Sequence, residues 1–142
     1  MTASDRSARV IGAMFAGAGS AHFARPDFFE AIVPRWFPNP KFANQASGAA
    51  EIVCGLAMFP RRTRRWAAFG LLGILAGVFP ANVDMYLHDV DMSPGDDGRM
   101  ERVENAEGVR TRNLVRLPVQ FVFAALVWRH TRRVSLTQDV SA

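Results

Sequence analysis

Five polar residues stand inside otherwise apolar stretches of this chain: His22, Glu51, Asn82, Arg116 and Gln120. A glutamate and a histidine that meet can hold or pass a proton, and an arginine can pair with a carboxylate or bind an anion. Asparagine and glutamine add neutral donors and acceptors that could orient a ligand. These five are the candidate pocket residues; the pattern singles out no catalytic residue. Phosphate loops, dinucleotide fingerprints and nucleophile elbows are absent from the sequence. There is no HxxH, HExxH or Cys/His cluster, so no metal site is expected. Cys54 is the sole cysteine, which excludes an internal disulfide or a CxxC redox pair.

The elements that must position these residues are apolar runs. Trp66 to Val83 holds eighteen residues without a charge, and a helix needs about 20 apolar residues to cross a bilayer core. Arg61, Arg62, Arg64 and Arg65 precede it, where a cytoplasmic anchor belongs. Weaker runs surround it, and together they predict an all-α integral membrane four-helix bundle. The expected spans are about 8–23, 43–59, 66–87 and 113–128, all in one domain. Gly73 and Gly77 form a GxxxG pattern that predicts a helix contact face. Pro80 should bend the third span and free a carbonyl for a neighbour.

Two outer segments, 24–42 and 88–112, complete the expectation. Pro26 to Pro40 mixes aromatics with charges and is broken by Pro34 and Pro38, which suits a short interfacial segment between the first and second helices. His88 to Thr111 is acidic with a turn-rich centre, and Arg99 to Glu107 is expected as a surface helix. Asn44, Gln45 and Ser47 read as a helix cap and interfacial start of the second span. Asp84 and His88, at i and i+4, read as interfacial polar residues.

Charge gives an orientation. With both termini inside, the cytoplasmic segments carry net +7 and the outer ones −2, the asymmetry of a protein in the bacterial cytoplasmic membrane. The inner sum includes Arg133 and Asp139. Small residues at Ala18, Ser20 and Ala21 leave a second route open, cleavage of the first run as a signal peptide. The basic residues flank apolar runs instead of forming one stripe, so no nucleic-acid partner is expected. The lipid bilayer is the expected partner, with proteins docking on the cytoplasmic arginines or the acidic outer loop, and an oligomer is open.

At ~1.5 Å per residue, Glu51 and Gln120 lie roughly 12 Å from the inner helix ends, His22 and Arg116 roughly 18 Å, and Asn82 higher still. The polar residues thus gather in an outer-half zone. Glu51 and Arg116 are expected to form an intramembrane ion pair, since each alone costs about 2.5–3.5 kcal/mol at mid-membrane. A structural pair fixing helix order and a ligand or proton site are both open readings.

Certain short pieces occur in an order that resembles the DoxX-like family of small bacterial membrane proteins. They are His22-Phe23 with Pro26, Val33-Pro34 with Phe37-Pro38 and Pro40, and Ser47-Gly48 with Glu51. Pro60-Arg61 with Arg64, Phe79-Pro80-Ala81-Asn82 and Arg116-Leu117-Pro118 with Gln120 follow. The resemblance implies a four-helix membrane bundle, and a subunit or scaffold in a redox-linked complex. Its alternatives are a module that binds or transports a small molecule, lipid or quinone, and a quinone-linked oxidoreductase subunit. A quinone is the only cofactor class it suggests. The chain lacks the cysteine pair that thiol–disulfide chemistry requires, so activity as a lone redox enzyme is not expected.

Overall fold

The computed structural model describes residues 2–132. The chain runs α1 (Ala3–Ala24), α2 (Pro26–Ala31), α3 (Pro40–Ala57), α4 (Arg61–Leu87), β1 (Asp91–Pro94), β2 (Met100–Val103) and α5 (Arg110–Trp128). Local chemistry sets the helix starts. Thr2 and Asp5 form a reciprocal capping box at α1, satisfying backbone donors that a helix start leaves open. Asn39 caps α3 with Pro40 in its first turn, and Pro60 stands at the N-cap of α4. The Asn44, Gln45 and Ser47 group therefore lies inside α3 and is not its cap.

The four-helix membrane bundle is not what the structure holds. Among the described residues one helix, α4, is long and apolar enough to cross a membrane. The reason is composition: α1 is built largely of Gly and Ala, α3 carries Lys41, Asn44, Gln45 and Glu51, and α5 spends its first two turns on Arg110, Arg112 and Arg116. A two-stranded antiparallel sheet adds strand structure to the helices, with Asp91 opposite Val103 and Pro94 opposite Met100. The surface helix expected over Arg99 to Glu107 is instead β2 and its exit. Gly98, at φ +77°, allows the tight return that joins the strands. Arg133 and Asp139, which enter the charge sum, lie outside the described residues.

Helices α1 and α3 touch backbone to backbone. A Cβ on Gly12 would sit 2.5 Å from the Gly55 carbonyl oxygen, and one on Gly19 would sit 2.5 Å from that of Gly48. The contacts run in opposite directions along the two helices, so the pair is antiparallel. The two contacting glycines of each helix, Gly12 and Gly19 on α1 and Gly48 and Gly55 on α3, lie seven residues apart, two turns on one face. The GxxxG pattern of α4 does not form the expected contact face, since a Cβ at Gly73 or Gly77 would meet nothing within 4 Å. Gly70 makes the α4 contact, directly under the Cys54 sulfur.

A core of Ala8, Ile11, Met58, Ala67, Ala68, Leu71 and Val127 fills the end near the α1 start. At the other end the hairpin is tied down by polar bonds. Arg102 pairs with Asp84 and with Glu104, and Asp27 accepts from the Met100 N–H at 2.9 Å. Asp84 thus anchors the hairpin to α4, with His88 at 3.1 Å as its second partner.

Candidate functional site

The close α1–α3 approach decides what faces what beyond Gly19 and Gly48. One turn past Gly19 comes His22, and one turn on either side of Gly48 come Asn44 and Glu51. Asn44 is buried and donates its Nδ2–H to the His22 carbonyl at 3.2 Å. That fixes the amide, so its Oδ1, 2.7 Å from His22 Nδ1, accepts a hydrogen bond from the ring N–H. A neutral His22 then carries its proton on Nδ1 and turns Nε2 outward as an acceptor. Phe29 of α2 stacks on the imidazole with centroids 3.8 Å apart and locks the ring plane.

His22 Nε2 points at Glu51, 3.8 Å from its Oε2. That gap is too long for a hydrogen bond. Glu51 is 8% exposed, and its Oε2 is buried without any hydrogen-bond partner. Desolvation pushes the Glu51 pKa up from 4.5 to about 7, because burial disfavours the charged form.

Both groups line a cavity of about 510 Å³, within the size range of small-molecule pockets. Phe29, Trp36, Phe37 and Phe42 supply aromatic lining, α4 contributes Ile74, Val78 and Asn82, and Ser47 of α3 lines it as well. The segment after α2, part of the stretch expected as interfacial, thus forms part of the cavity wall. Arg102 donates to the Val33 carbonyl at 3.4 Å and so ties that wall to the hairpin.

The remaining candidates go elsewhere. Arg116 makes no ion pair with Glu51; its Nη1 donates to the Met85 sulfur at 3.4 Å. Burial and the neighbouring Arg112 lower its pKa. Gln120 accepts from Asn82 Nδ2 at 2.7 Å and donates to the Leu75 carbonyl. Pro80 cannot donate to the backbone in this stretch, so the Gln120 bond supports the helix around the proline. Its role is structural, but the carbonyl that Pro80 leaves without an N–H is that of Ala76, one residue after the Leu75 carbonyl that Gln120 binds. His22, Glu51 and Asn82 thus share the cavity, while Arg116 and Gln120 are absent from its lining. Asn44 belongs to the site and is not among the five expected residues, although it lies seven residues before Glu51 and hence on the same helix face. Among the described residues no group of three or more His, Cys, Asp or Glu side chains is placed to hold a metal ion.

A family model covers residues 11–131, and the chain belongs to that family, described as Domain of unknown function (DUF8561). No curated protein and no solved structure matches the chain.

Proposed function

We propose that this protein is a small-molecule-binding module whose ligand lies in the aromatic cavity with one polar end at His22 and Glu51. One observation carries the reading: Glu51, whose buried Oε2 has no hydrogen-bond partner, is among the residues that line a cavity of about 510 Å³. Native proteins rarely leave such an atom unsatisfied, and a ligand is one way to satisfy it. The DoxX-like resemblance belongs to the same proposal, since His22, Glu51 and Asn82 are among the residues that carry it. The docking-scaffold reading has less to draw on, because Asp5 already engages Arg61 and Arg64.

Residence at a lipid membrane is part of the proposal. It is supported by α4 as a candidate span and by large apolar side chains left in the open on α3 and α5, such as Val53, Phe121 and Trp128. Exposed apolar surface on this scale marks contact with lipid or with another protein.

Gly77 offers the test. It lines the cavity, and a Cβ there meets nothing within 4 Å, so Gly77→Phe can start into the space without a backbone clash. The neutral fluorescent probe N-phenyl-1-naphthylamine should bind the purified wild type saturably. Gly77→Phe should bind it at least about tenfold more weakly in the same detergent. Equal binding by the two proteins would refute the pocket reading.

A further inference from the structure

The chemistry of the cavity narrows its ligand. With Glu51 ionised, as it is above pH about 7, the polar end offers two acceptors, His22 Nε2 and Glu51 Oε2, 3.8 Å apart and without a hydrogen bond between them. A single nitrogen carrying two or more N–H groups can reach both at ordinary hydrogen-bond length, since ~2.8 Å from each closes a triangle on that base. A carbonyl or ether oxygen has nothing to give either group, and a hydroxyl can donate to only one.

The charge pattern agrees. Among the described residues that line the cavity, Glu51 is the sole acid and there is no Lys or Arg. An anion entering it would meet a carboxylate and no counter-charge. Phe29, Trp36, Phe37 and Phe42 line the same space, and aromatic faces attract cations.

Resting on the binding reading above, we infer that the ligand is an amphipathic primary amine, its ammonium bridging Glu51 and His22 and its apolar tail lying along the aromatic wall. The acid accepts charge-assisted donation, and its desolvated setting strengthens the attraction. Neither Arg116 nor any other cation competes for Glu51 among the described ion pairs, where His22 is its one partner.

A matched series on one skeleton tests this: 4-phenylbutylamine, 4-phenylbutan-1-ol and 4-phenylbutyrate, each displacing N-phenyl-1-naphthylamine at pH 8. The amine should displace the probe at about tenfold lower concentration than the alcohol, with the carboxylate weakest. In Glu51→Gln the advantage of the amine over the alcohol should shrink to about twofold or less. Probe binding with no preference for the amine would overturn the inference and leave the binding reading standing. An amine preference that survives Glu51→Gln would overturn it equally, and so would a carboxylate that competes as well as the amine. Absence of saturable probe binding would remove the pocket reading itself. Should Glu51→Gln fail to fold, the ranking of the three compounds on the wild type decides alone.

Discussion

Two shielded carboxylates face the two ends of α1, and the fold treats them in opposite ways. Asp5 is surrounded by donors: Arg61 Nε and Arg64 Nη1 each lie 3.0 Å from its Oδ1, and the Thr2 backbone lies 3.0 Å from its Oδ2. Those partners, Arg61 foremost, hold its pKa far below the ordinary carboxylate range. Glu51 has no donor on its buried Oε2, and desolvation moves its pKa the other way. Arg64 also donates to the carbonyls of Met58 and Phe59, so the Asp5 cluster ties together the start of α1, the end of α3 and the start of α4. A carboxylate used for architecture is fully paired; one left unpaired beside a cavity has capacity to spare for a ligand.

Breaking the paired end should have the largest effect. Asp5→Ala removes the capping acid and leaves Arg64, 4% exposed, without its carboxylate. Its melting temperature should fall below those of Gly19→Val and Glu51→Gln. A melting curve that matches the wild type would show that the cluster does not hold the helices together.

Next comes the helix contact that builds the site. Gly19→Val drives a side chain into the Gly48 carbonyl and the Glu51 and Ile52 side chains, and overpacking of this kind costs about 1–3 kcal/mol. Probe binding should fall with stability, because the same contact places His22 over Glu51. Gly73→Ala is the control. It faces open space and should gain roughly 0.5–1 kcal/mol from helix propensity. Chemical denaturation of both variants checks the pair, and a neutral Gly19→Val would mean that the helices can slide apart without loss.

The smallest effect is the most diagnostic of the contrast between the two acids. The Glu51 pKa is raised on folding, so the folded state holds its proton between 4.5 and about 7. Stability from this group is present in full below 4.5, declines as pH rises through that window, and stays reduced above it. Asp5 has the opposite sign, for its pKa is lowered, and its contribution is lost as pH falls below the ordinary value of 3.8. Glu51→Gln should therefore flatten the fall in melting temperature between pH 4.5 and 7 while leaving the acid limb intact. An unchanged slope in that window would mean that Glu51 is solvated in the folded protein.

Much of the helical layout is legible in the residues. The charge-free run after Arg65 marks α4, and the weaker apolar runs overlap α1, α3 and α5, the second of them running two residues past the end of α3. The hairpin is less so. Its strands are four residues each, too short for a clear alternation, and the Asp97-Gly98 turn between them signals a loop as readily as a hairpin. Within the site, His22, Glu51 and Asn82 stand out because polar side chains in apolar runs need a reason. Their true partners do not. Axial depth along a helix follows from residue count alone, and it brings Glu51 near the level of Arg116. Contact also depends on rotation about each helix axis and on which helices are neighbours, and neither is a local property.

The sequence by itself determined where helices can start and stop, through caps, prolines and apolar runs, because those are interactions among residues close along the chain. It determined as well that His22 and Glu51 would sit in poorly solvated surroundings. The tertiary structure decided that Gly12 and Gly19 meet Gly55 and Gly48, and hence that Glu51 faces His22 and a cavity while Arg116 turns to Met85. The physical reason is range: capping and apolar periodicity act over one or two turns, whereas the pairing of a buried charge depends on side chains far apart in sequence that only helix packing brings together.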